Sequence, residues 1–151
     1  DYRSSRGLGD VYKRQTRAAA SNPDKWVVLP EIISKEPLGP LVRHGDHQWG
    51  DVVRWSLNAM IIAEELGITS ENVDAQMSSN VPEVLRLLGV EGNYGEMLEL
   101  SNDWAYQIIK QIGNYSESYE ANVGPDTPLE IARGLNALWT QGGILYAPPF
   151  R

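Results

Sequence analysis

The sequence predicts a helix-rich α/β protein, and three observations carry that expectation. Residues 26–29 (WVVL) and 39–43 (GPLVR) are short, apolar and bounded by turn residues, as strands are. After Asp46, Trp49, Val52, Val53, Ser56, Ala59, Met60 and Ala63 recur at i, i+3, i+4, i+7 spacing, as on one face of a helix. Residues 101–123 and 127–143 repeat apolar side chains every three or four positions and read as two more long helices. The two strands have no visible partners in this chain, and unpaired backbone groups are costly. A sheet completed by strands outside this sequence is therefore expected.

The bounds come from composition. The chain has 151 residues, a net charge of −7 and a pI near 4.8. No window is basic enough to follow a phosphate backbone, so nucleic acid is not an expected partner. No run of eighteen apolar residues is present, so no membrane-spanning helix is expected. Zero cysteines exclude a disulfide scaffold, a thiolate nucleophile and a cysteine zinc site.

Residues 1–15 stand apart. They carry Arg3, Arg6, Lys13 and Arg14 against Asp1 and Asp10, whereas the remainder of the chain is acidic. They show no periodicity and resemble translated adaptor sequence ending in VYKRQ, so they are read as non-native and set aside from the fold. Residues 16–21 (TRAAAS) favour helix, which Asn22-Pro23-Asp24 should stop. Residues 26–34 then run extended into the stretch 32–62, around which the chain is organised. Within it Pro37 and Pro40 hold 39–43 extended, Gly45 suits a reversal, and Asp46 suits a helix cap. Trp55, Leu57, Ile61, Ile62 and Leu66 widen the stripe, predicting a helix buried on most sides.

Downstream, Gly67 ends that helix, and Thr69 or Ser70 should cap another running to Met77 with Glu71 in its first turn. Pro82 opens a short helix closed by Gly89, and residues 91–96 read as a surface loop. Residues 101–123 read as one helix, with Gly113 marking a close contact or a bend. Thr127, Pro128 and Glu130 have the spacing of a helix start, with Gly142 and Gly143 ending that helix before an extended tail, 144–151.

Several residues invite a chemical reading. His44, Asp46 and His47 lie within four positions, but across a turn and without a third ligand cluster; turn and cap outweigh a metal site. Glu64/Glu65 and Glu96/Glu99 could pair as acid and base, yet Glu64 and Glu65 suffice as the only solvated face of a buried helix. Trp49, Trp55, Trp104 and Trp139 fall on apolar helix faces and are expected in the core. Arg43 near a strand end fits a surface or ion-paired role, and Asn114-Tyr-Ser matches a glycosylation acceptor only as a pattern. No phosphate loop or nucleophile elbow occurs. Catalysis is not expected, nor a cofactor or metal.

The residues Glu36, Pro37, Leu38, Gly39, Val42, Arg43, Gly45, Asp46 and Trp49 form a strand–turn–helix motif that resembles type II periplasmic solute-binding proteins of ABC importers (family 3). The runs PLEIARGLNALWTQGGILYAPPFR, NDWAYQIIKQIGNY and EIISKEPLGPLVR are similar to the general L-amino-acid-binding subfamily. The similarity covers residues 16–151, about the last two-fifths of a full-length member. The resemblance implies a two-lobed α/β fold of which this chain is the C-terminal portion, holding the return crossover strand, one first-lobe strand and its covering helices. It also implies a periplasmic, non-enzymatic protein that binds a free polar L-amino acid by hinge closure and delivers it to a permease. Family members hold the zwitterion through an arginine segment, a Gly-Thr-Thr-type loop and an Asp-x-Ser motif, all upstream of the matching sequence. No residue here is assigned to ligand binding, so those positions are unknown from this chain. The contrasting expectation is an autonomous helical protein-interaction domain without a small ligand. An enzyme ranks third.

Overall fold

The computed structural model describes residues 7–29 and 39–150, which form two compact units. One takes in the chain up to Gly39 together with Tyr119–Leu145; the other takes in Pro40–Ser118 and the tail from Tyr146. The extended stretch 30–34 and the motif residues Glu36, Pro37 and Leu38 lie outside the described residues, as do 1–6 and Arg151.

The second unit is built on helices. Its longest, α2 (His47–Glu65), starts where Asp46 Oδ1 accepts the amide of Trp49 at 3.1 Å, the cap expected at that residue. Gly45 precedes it at φ +86°, a conformation that side chains with a Cβ resist. Short helices α3 (Val73–Gln76), α4 (Pro82–Leu87) and α5 (Tyr94–Met97) follow, and α6 (Trp104–Ile112) packs on both α2 and α3. Ala59, Ala63 and Ala105 are fully buried, and their small side chains let helices approach closely. Ile62, Ile68, Val73, Leu87, Leu88 and Ile109 fill the space around them.

Here several expectations change. α2 is buried only along its last two turns, at Ala59 and Ile61–Ala63, while Trp49 is 54% exposed and Leu57 45%. It is not buried on most sides: the core covers Ala59 and Ile61–Ala63, and α4 and α6 are among the neighbours packed on the helix. Glu64 and Glu65 are thus not its only solvated face. The 69–77 segment forms helix only over α3: Thr69 and Asn72 bond each other across the turn (2.8 and 3.3 Å), which delays the start to Val73. Residues 91–96 are not wholly loop, since α5 begins at Tyr94.

The expected helix 101–123 is two helices, α6 and α7 (Tyr115–Asn122). Gly113 at φ +94°, ψ −177° breaks the path, and a Cβ there would lie 2.7 Å from Glu117 Cβ. Asn114 then restarts it. Asn114 Oδ1 accepts the Glu117 amide at 3.0 Å, and Glu117 Oε2 accepts the Asn114 amide at 2.8 Å, a reciprocal capping box.

The strands are the largest departure. Residues 26–29 and 39–43 form no ladder; among the described residues pairing is limited to one parallel bridge, Leu138 with Leu145. Trp26 has extended dihedrals (φ −115°, ψ 136°), yet Trp26, Val27 and Leu29 are 62–80% exposed and Leu41 is 97% exposed. An extended segment becomes a strand only when a partner takes its N–H and C=O groups, and none of the described residues pairs with these two segments as a strand. The α/β expectation is met in its helices and not in its sheet.

In the first unit, α1 (Gly7–Ala18) ends near the expected stop, before a 3₁₀ turn at Pro23–Lys25, but it runs back through residues 7–15. The last predicted helix is absent. Thr127 Oγ1 accepts the Leu129 amide, but Glu130 has φ +50°, so no helix propagates. Buried Ile131 donates its amide to Val123 O, and Arg133 bonds the Asn136 carbonyl, leaving only 3₁₀ turns at Gly134–Asn136 and Trp139–Gln141. Tertiary anchoring of Ile131 has overridden a good local start signal.

Candidate functional site

A concavity of the second unit arises from its tail. After Tyr146 the chain is held extended by Pro148 and Pro149, which delivers Phe150 into the helices at 6% exposure. Its ring lies 5.1 Å from that of Trp55 (α2), 5.4 Å edge-on from Tyr94 (α5) and 6.1 Å from Trp104 (α6). Beside this cluster lies a groove of about 380 Å³ lined by Trp55, Tyr94, Met97, Leu98 and the two prolines. No lining residue is charged. The groove can take an apolar group, but it has neither the arginine nor the carboxylate that an amino-acid zwitterion requires.

The first unit has a more polar cleft of about 320 Å³ bordered by Arg14, Arg17, Asp24 and Glu130. Its cations are already engaged: Arg14 Nη1 donates to the carbonyls of Leu129 and Glu130 (3.2 and 3.3 Å), and Arg17 Nε donates to Pro23 O (3.0 Å). In the same unit Tyr119 Oη donates to Ala132 O at 3.2 Å, with the Arg133 guanidinium 5.3 Å from its ring centre.

Two polar clusters occupy the second unit. On its surface Asp74 accepts from Lys110 Nζ at 2.6 Å and from Tyr106 Oη at 2.9 Å, tying α3 to α6. The Lys110 ammonium, then the Tyr106 hydroxyl, hold the Asp74 carboxyl below its ordinary value; the carboxylate in turn raises both Tyr106 and Lys110. Deeper, the Glu117 carboxylate accepts from the Ser70 amide (3.1 Å), the Ser70 hydroxyl (2.6 Å) and the Asn114 amide. Asn114, 4% exposed, also donates Nδ2 to Ile68 O at 2.8 Å. The α7 capping box is thus also a clamp on the loop that follows α2. Both clusters are spent on structure.

The residues singled out from sequence are scattered. His44 is exposed in the turn, Asp46 caps α2, and His47 is its exposed first residue. Arg43 is exposed just before the turn, and its carbonyl accepts the Asp46 amide rather than a bond from a strand among the described residues. Glu96 is exposed, 3.5 Å from Asn93 Nδ2, and Glu99 has φ +57°. Trp55 and Trp104 join the aromatic cluster as expected of core residues, but Trp49 and Trp139 are 54% and 56% exposed, so these two are not core. Asn114 is a buried structural residue. The Asn-x-x-Glu spacing at 114–117 was readable as a capping box, whereas the link to Ser70, 47 residues away, had no local signal. Among the described residues no three His, Asp or Glu side chains gather as a metal site, and no helix is long and apolar enough to cross a membrane.

No protein-family model matches the chain. Individual proteins do. YhdW of Escherichia coli (strain K12) is 59% identical over 136 residues, covering 89% of this chain and 40% of that protein. The glutamate/glutamine/aspartate/asparagine-binding protein BztA of Rhodobacter capsulatus is 56% identical over 137 residues, again 90% of this chain and 40% of BztA. The general L-amino acid-binding periplasmic protein AapJ of Rhizobium johnstonii matches at 56% over 137 residues. A solved periplasmic binding protein of an ABC transporter from Brucella ovis, with glutathione bound, superposes with a TM-score of 0.87 at 52% identity, over 92% of this chain and 44% of that one. The chain spans about two-fifths of the length of the curated relatives it matches.

Proposed function

We propose that this chain, a homologue over nine-tenths of its length of amino-acid-binding proteins of ABC transporters, is the C-terminal part of such a protein. In the whole protein, two lobes close on a free polar L-amino acid in the periplasm, and the closed form hands it to the permease. The observation that carries this reading is identity of 56–59% sustained over some 136 residues, with a backbone that follows a solved binding protein at TM-score 0.87. The relatives are binding proteins, and nothing in that role calls for catalysis.

The ligand-holding side chains lie in the upstream three-fifths of the whole protein. The uncharged lining of the aromatic groove supports that placement. Residues 1–15 are foreign to the protein; their basic composition beside an acidic remainder and their adaptor-like ending support setting them aside. Sequencing the source DNA across the Gln15–Thr16 junction tests this directly.

The binding assay compares two proteins: this 151-residue chain, and one extended upstream to the relatives' length. Both are titrated with glutamate, glutamine, aspartate, asparagine and glutathione, followed by tryptophan fluorescence and calorimetry. The extended protein should bind at least one amino acid with one-to-one saturation, and the short chain none. Saturable binding by the short chain would overturn the placement of the pocket. Failure of the extended protein with every amino acid would overturn the transport reading.

A second reading, an autonomous helical interaction domain, is favoured by one observation: the second unit has its own buried core of helices. It requires the short chain to unfold in one cooperative, high-enthalpy transition. A broad transition with exposed apolar surface supports the transport reading instead.

A further inference from the structure

We draw no further inference here: the strongest candidate, the apolar groove of the second unit between Trp55, Tyr94, Met97 and the 148–150 tail, is an uncovered apolar face, and nothing in the structure shows what covers it.

Discussion

Replacing Asn114 by alanine tests the clamp between α6 and α7. The side chain makes two bonds in a site that is 4% exposed: Nδ2 to Ile68 O at 2.8 Å, and Oδ1 from the Glu117 amide at 3.0 Å. Losing a helix N-cap costs about 1 kcal/mol. Leaving the Ile68 carbonyl, within the core, without its donor costs a further ~1–2 kcal/mol. The expected loss is therefore about 2–3 kcal/mol, or roughly 4–12 °C in melting temperature for a chain of this size. Urea denaturation gives the free energy, and amide hydrogen exchange at 115–118 shows whether α7 is the element that loosens. Gln111→Ala, on the exposed face of α6, is the control and should stay within about 0.5 kcal/mol of the parent. A double-mutant cycle of Ser70→Ala with Glu117→Gln should show coupling above ~0.5 kcal/mol, because the pair shares a 2.6 Å bond. If Asn114→Ala behaves like the Gln111 control, the clamp contributes nothing and the account of the helix break is wrong.

The remaining predictions concern the core, the backbone and pH. Phe150→Ala should cost about 3–5 kcal/mol and remove much of the near-ultraviolet dichroism, since Phe150 contacts three aromatic rings; an unchanged spectrum would show that the tail is not seated. Gly89→Ala should be worse than Gly45→Ala, although both glycines have positive φ. A Cβ at Gly89 would collide with the Asn102 carbonyl, whereas at Gly45 it meets nothing within 4 Å and only the backbone penalty of about 1–2 kcal/mol applies. Equal melting temperatures for the two variants would refute the close packing of 89 on 102. The Asp74–Tyr106–Lys110 cluster should give pH dependence at both ends of the scale. Asp74 is lowered from 3.8, so its contribution is present above that value and is lost as pH falls through the folded-state value. Tyr106 and Lys110 are raised from 10.0 and 10.5, so theirs is present below those values and is lost as pH rises past the folded-state ones. Asp74→Asn should flatten both limbs of the stability–pH curve by small amounts, because the cluster is exposed. A variant whose curve parallels the parent's removes the cluster from the account.

Local signals in the sequence were reliable where the local structure answers only to itself. Asp46 as a cap, Pro82 opening α4 and Gly67 and Gly89 at helix ends all stand where spacing and turn chemistry put them. Signals that depend on a partner were not. Residues 26–29 have the composition of a strand, but a strand is a property of two segments, and the described residues supply only one. The same holds for burial on α2. Its stripe is real, yet Trp49 and Leu57 stay exposed, since which part of an apolar face is covered depends on the neighbours the helix meets. Gly113 was visible as an anomaly inside a helical pattern, but its outcome turned on Glu117 reaching both Asn114 and Ser70, a geometry fixed only by the fold. The proposed placement of a ligand site rests on resemblance, and the similarity to binding proteins supports the resemblance without testing that placement.

The buried clamp also bears on how the protein can be made. Asn114-Tyr-Ser is an acceptor pattern for N-linked sugar, and its amide nitrogen is the atom that donates to Ile68 O inside the fold. A glycan on that nitrogen and the closed clamp are mutually exclusive. In a eukaryotic secretory host, where sugar is added to the emerging chain, each modified molecule would be held open between α6 and α7. Expression there should yield an aggregation-prone glycosylated fraction and a folded unmodified one, while a bacterial host yields only the latter. Replacing Ser116, half-buried in α7, with alanine removes the acceptor pattern while leaving Asn114 in place.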